Sequence, residues 1–178
     1  GICSLNQGVD RLTLSCFMTM GADGAVLDHS IVKSVIRSTE RMTYEDCNIL
    51  LAEDGRPQRA APTAPQYPFL AERYAHILPM LRDMAALSRV LEKRRRARGS
   101  LDLETQESYI VCDSEGRPVD ILARHQGQSE KLIESFMLSA NETVAQHLFD
   151  LHRPAVYRVH EKPSQEKTDT LKAMLSPL

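Results

Sequence analysis

Gly21-Ala22-Asp23-Gly24 constrains this chain more than any other segment, because it separates two runs of strand-forming residues, Arg11 to Met20 and Ala25 to Ser38. Glycines in a tight connection supply the positive φ that hairpin turns demand, so the two runs are read as an antiparallel pair. Asp113-Ser114-Glu115-Gly116, between Tyr109 to Cys112 and Val119 to Leu122, gives a second hairpin by the same reasoning. Elsewhere the apolar period is helical. From Phe69 to Arg98, Leu70, Tyr74, Ile77, Leu78, Leu81, Met84, Ala85, Leu87, Val90 and Leu91 recur at helix spacing, with Pro79 kinking or splitting the run. Thr43 before Tyr44, Glu45 and Asp46 is an N-cap followed by first-turn acids, which predicts a short helix through Leu51 that Gly55 stops. Ser129 starts a long helix to about Leu151, with Leu132, Ile133, Phe136, Met137, Ala140, Val144 and Leu148 as its apolar stripe. A short strand is predicted over Ala155 to Val159, and Pro163 with Ser164 opens a last helix through Leu175. Arg56 to Pro68, with four prolines, is read as an irregular connection. Helices interspersed with hairpins make the class α+β, antiparallel hairpins packed with long helices.

Composition narrows the classes further. With 42% hydrophobic and 26% charged residues the chain is neither disordered nor fibrous. No apolar run is long enough for a bilayer, and Gly1 to Gly8 carries neither a basic flank nor an apolar h-region, so a cytoplasmic protein without a membrane partner is expected. Cys3, Cys16, Cys47 and Cys112 lack any CxxC pairing and read as reduced thiols. A formal net charge of −2 argues against strong nonspecific nucleic-acid binding by the chain as a whole, while leaving room for a local groove. Lys93, Arg94, Arg95, Arg96 and Arg98 before Gly99 read first as the cationic end of a helix with a glycine cap, and second as an RNA contact.

Self-announcing catalytic motifs are absent: no Gly-rich phosphate loop, HExxH, GxSxG or clustered Asp array for Mg²⁺ occurs. No catalytic residue and no metal ligand is therefore assigned within the chain. The six histidines are isolated from one another, and one such as His160 reads as structural. Tyr44, at a strand-to-helix junction, either stacks on a base or packs as a half-buried aromatic. Glu134 and Asn141, seven positions apart, share one helix face, where they either bond a ligand or satisfy buried backbone groups.

Several blocks resemble one family. Gly1-Ile2-Cys3-Ser4-Leu5-Asn6, Gly8-Val9-Asp10-Arg11-Leu12, Val35-Ile36-Arg37-Ser38 and Arg41-Met42-Thr43-Tyr44 resemble the RNB catalytic domain of RNase II and RNase R enzymes. Arg98-Gly99-Ser100-Leu101-Asp102, Ala140-Asn141-Glu142-Thr143-Val144-Ala145 after Glu134, and Tyr157 to Pro163 continue the pattern in order. The resemblance implies part of a processive 3′-to-5′ exoribonuclease that hydrolyses single-stranded RNA to nucleoside 5′-monophosphates with Mg²⁺ in the intact enzyme. It also implies that the metal-binding aspartates precede the segment like Gly1 to Asn6, that an arginine-bearing segment follows the block ending near Pro163, and that cold-shock and S1 domains flank the whole. The isolated chain is then expected to be inactive, and surfaces exposed by truncation to permit dimerisation. Carried over residue by residue, Tyr44 matches the tyrosine that stacks on the RNA end, and Glu134 opens an acidic pair whose second position here is Ser135. Leu103 stands where many members carry a phenylalanine clamp, and leucine offers no aromatic face. Those two departures motivate a rival reading, an RNB-like protein that grips RNA without cutting it. A third reading is a scaffold whose long helices dock a protein.

Overall fold

A computed structural model of the chain describes residues 1–52, 67–101, 107–124 and 126–176. The first hairpin pairs β1 (Asp10–Met20) with β2 (Val26–Arg37), antiparallel, in a register running from Asp10 opposite Arg37 to Thr19 opposite Asp28 before a shift at Met20. Gly24 adopts φ 76° and closes the turn, with Gly21 N donating to Ala25 O at 2.8 Å. At the far end Arg37 Nε donates to Asp10 Oδ1 at 2.6 Å, tying the first residue of β1 to the last of β2. The second hairpin, β3 (Glu107–Cys112) with β4 (Pro118–Arg124), is also antiparallel, so the class is α+β with two separate two-stranded sheets.

Three helices build the main core. Helix α1 (Tyr44–Leu51) starts where Thr43 Oγ1 accepts from Asp46 N at 3.1 Å, the cap its sequence predicts. The long helical run divides into α2 (Tyr67–Arg73) and α3 (Leu78–Ala97), with Pro79 in the first turn of α3, where its missing N–H leaves no bond broken. Ile49, Leu50, Leu70 and Tyr74 bury their side chains together, Tyr74 leaving 1% exposed. Gly99 closes α3 at φ 94°, its N–H reaching Arg96 O at 2.9 Å while Ser100 N reaches Arg95 O at 3.2 Å, a left-handed cap that satisfies two terminal carbonyls. The tip of the first hairpin lies on α3, where a Cβ on Gly24 would press against Val90 and Leu91.

Helix α4 (Gln128–Asp150) buries Leu132 of its predicted apolar stripe and partly buries Phe136, Ala140, Val144 and Leu148. Ser129, Leu132, Ser135 and Thr143 are buried, while Ile133 and Met137 are about half exposed. Small polar residues permit close approach here: Ser88 Oγ on α3 donates to Ser135 Oγ at 3.5 Å, and Thr143 Oγ1 donates to Met18 Sδ on β1 at 3.3 Å.

The chain falls into two compact units, Gly1–Val144 and Ala145–Leu178. In the second, α4 ends at His152, whose φ of 53° makes it the left-handed cap; Arg153 N reaches Leu148 O and His152 N reaches Phe149 O, both at 3.0 Å. Ser164 caps α5 (Gln165–Leu175) as predicted. The strand predicted over Ala155 to Val159 does not form, because a β-run needs a partner ladder and both sheets among the described residues are complete hairpins without it. Tyr157 instead donates its hydroxyl to Ala145 O at 3.4 Å. Of the connection read over Arg56 to Pro68, residues 56–66 lie outside the described residues, as does Gly55, whereas Tyr67 and Pro68 form the first turn of α2. No helix among the described residues is long and apolar enough to cross a membrane.

Burial separates the core leucines from those of the hairpin. Leu50→Ala is expected to cost about 2–5 kcal/mol in urea unfolding, whereas Leu12→Ala, at an 89% exposed position, should stay within about 0.5 kcal/mol.

Candidate functional site

Tyr44 is the first residue of α1 and is 45% exposed, which suits a ring open to stacking and a half-buried aromatic at the cap equally. Its main chain is fixed from below. Ser129 Oγ, near the start of α4, lies 3.0 Å from Tyr44 O and also 3.0 Å from Glu130 Oε2, two acceptors for one proton. One turn along α1, Asn48 faces the same helix end: its Oδ1 accepts from Ser129 N at 2.8 Å and its Nδ2 donates to Glu130 Oε2 at 3.0 Å. Gly127 N also donates to Glu130 Oε2 at 3.0 Å. The first N–H groups of any helix lack intrahelical partners, and a side chain just before the helix normally supplies one. Gly127 precedes α4 and has no side chain, so Asn48 supplies the oxygen from another helix. A Cβ at Gly127 would overlap the Asn48 amide. Glycine is therefore required by the close approach, and not by any unusual φ.

Electrostatics follow from this knot. Burial by itself would raise the Glu130 carboxyl, but the donors Asn48, Ser129 and Gly127 outweigh it and hold the group below its ordinary 4.5. Cys47, next in sequence to Asn48, is buried; desolvation first, then the Glu130 and Asp46 charges, push its thiol up to about 11. That thiol stays protonated and inert.

Glu134 lies one turn beyond Glu130 on α4, half-buried, and accepts from Arg95 Nη1 at 2.9 Å. Tyr44 and Glu134 are thus brought to the same end of α4. Asn141, on the same helix, is exposed, and its neighbour Glu142 takes both ends of the Arg98 guanidinium at 3.1 Å. Arg94 Nη1 donates to Asp23 Oδ2 at 3.0 Å in the first hairpin turn. Arg94, Arg95 and Arg98 of the basic run therefore act as helix-end anchors, in agreement with the structural reading of that segment. Ser135 is buried between α3 and α4, which explains the small residue there: a carboxylate at that position would be desolvated against Ser88. Leu103 lies outside the described residues. Asn48, Gly127 and Glu130 were not singled out by the sequence, and Ser129 was read only as the start of a helix; the one available signal was Glu130 at the third helical position after Gly127, half of a capping box.

The family model for the RNB domain matches residues 1–177. This chain belongs to the RNB domain family. It is 42% identical to Ribonuclease R 1 of Lactococcus lactis subsp. lactis (strain IL1403) over 168 residues, which cover 94% of this chain and 19% of that protein. Ribonuclease R of Thermotoga maritima is 38% identical over 179 residues, covering 100% of the chain and 23% of the relative. Among solved structures, Mycoplasma genitalium RNase R in complex with ribose methylated single-stranded RNA superposes with a TM-score of 0.79 at 26% identity, covering 99% of this chain and 25% of that one. The RNB chain thus spans about a fifth of the length of the curated relatives it matches.

Two outcomes test this chemistry. Because the folded Glu130 carboxyl titrates below its unfolded value, its stabilisation is present above about pH 4.5 and is lost as pH falls through the depressed value. Urea midpoints taken from pH 7 to pH 3 should fall more steeply for the unaltered chain than for Glu130→Gln. Maleimide labelling at pH 7 should modify the exposed thiols of Cys3 and Cys112 well before Cys47.

Proposed function

We propose that this chain is part of a 3′-to-5′ exoribonuclease that degrades single-stranded RNA processively to nucleoside 5′-monophosphates, and that its portion binds the RNA end. The observation that carries the reading is the match of the RNB domain model to residues 1–177. Likeness to an RNase R solved with single-stranded RNA supports RNA as the partner. In this reading Tyr44 offers an exposed ring for stacking on a terminal base, and Glu134, oriented by Arg95, offers a carboxylate acceptor to a base or sugar. Leu103 would add apolar contact without stacking.

Mg²⁺ in the intact enzyme would activate water and stabilise the leaving oxygen. Among the described residues no three His, Cys, Asp or Glu side chains gather as a metal site, so these residues do not fit the ion, and their part in the reaction is to hold and orient RNA. The isolated chain is accordingly proposed to bind RNA without cutting it. The burial of Ser135 removes one motive for a non-catalytic parent, since that position serves helix packing.

A 5′-labelled single-stranded RNA incubated with the 178-residue chain and Mg²⁺, with EDTA as control, is expected to be retarded but not shortened. An EDTA-sensitive ladder receding from the 3′ end would overturn the claim of inactivity. Tyr44→Ala should weaken retention by about 1–3 kcal/mol, the scale of one stacked base.

A further inference from the structure

We propose that Asn48, Ser129 and Glu130 are positioning residues for Tyr44, a polar knot between α1 and α4 that sets where the tyrosine ring is presented. The inference rests on the RNA-end reading of Tyr44 and adds to it the groups that act through that residue. Tyr44 and Asn48 are four residues apart on α1, so their side chains are neighbours on one helix face. Tyr44 is 45% exposed, and its carbonyl is held by Ser129 Oγ at 3.0 Å. Asn48 is held at both ends, by Ser129 N at 2.8 Å and by Glu130 Oε2 at 3.0 Å. Two anchor points one turn apart fix the position of α1 along α4 and its rotation about its own axis, and a ring at the first helical position moves with both. Glu130 is the hub, since Asn48 Nδ2, Gly127 N and Ser129 Oγ all meet its Oε2 at 3.0 Å. Truncating Glu130 to alanine removes that acceptor, leaves its donors without their common partner and frees Asn48. A purely local packing role for Ser129 would require neither the Tyr44 contact nor an 82-residue reach from Asn48 to Glu130.

The test is a double-mutant cycle on the full chain, with single-stranded RNA carrying 2-aminopurine at its 3′ terminus. Fluorescence quenching reports stacking of the terminal base, titration gives the affinity, and circular dichroism fixes a temperature at which every variant is folded. Tyr44→Ala should abolish the extra quenching and weaken binding about tenfold. Glu130→Ala should reduce the quenching and weaken binding at least about threefold in the presence of Tyr44, yet add nothing in the Tyr44→Ala background. The direction is diagnostic, because removing a negative charge by itself favours binding to a polyanion. Ser129→Ala, which deletes only the hydroxyl under Tyr44, should behave alike and serves where Glu130→Ala does not fold. Unchanged quenching in folded Glu130→Ala and Ser129→Ala, or equal weakening with and without Tyr44, would overturn the positioning role. If the unaltered chain shows no quenching, or Tyr44→Ala changes nothing, the RNA-end reading of Tyr44 itself fails.

Discussion

One amide organises the described core: Asn48 caps a helix that it does not belong to. A 23-residue helix presents four unpaired N–H groups at its start, and leaving them buried without acceptors would cost more than most single contacts return. Gly127 leaves that start bare, and α1 is brought against it so that Asn48 can fill the gap. The same approach carries Cys47, Ile49 and Leu50 into the core shared with α2 and α3. It also explains why a carboxylate is tolerated near these apolar side chains, since Glu130 receives three donors at one oxygen.

Helix α3 supplies a second kind of order, through its charged end. Arg94, Arg95 and Arg98 reach acids on two different segments: Asp23 in the first hairpin turn, and Glu134 and Glu142 two turns apart on α4. Exposed ion pairs of this kind contribute at most about 1 kcal/mol each, so their effect lies in direction more than in stability. They fix the rotation of α3 about its axis, and the small residues Ser88, Ser135 and Gly24 then allow its neighbours to come close.

Local features were legible in the sequence and distant ones were not. Both hairpins and the caps at Thr43, Ser164 and Gly99 follow from turn and capping chemistry confined to a few adjacent residues. The strand over Ala155 to Val159 failed because β-propensity is realised only against a partner. The face of α4 was legible only in part, because Ser129, Ser135 and Thr143 make buried contacts that an apolar-stripe reading counts as polar. Tyr44 could be located from its cap and from the family resemblance. The groups that hold it could not, because Asn48 and Glu130 are 82 positions apart and meet only once the helices pack.

The Met18–Thr143 contact has a consequence for the order of events during synthesis. The β1–β2 hairpin closes through neighbours in sequence and can form within microseconds. Thr143 follows Met18 by 125 residues, which at ribosomal speeds is a delay of about 6 to 25 s. Throughout that interval the finished hairpin waits without α4, with Leu12, Leu14 and Val35 on a flank that stays exposed even in the folded chain. Nascent-chain handling, more than final stability, is where this hairpin makes its demands.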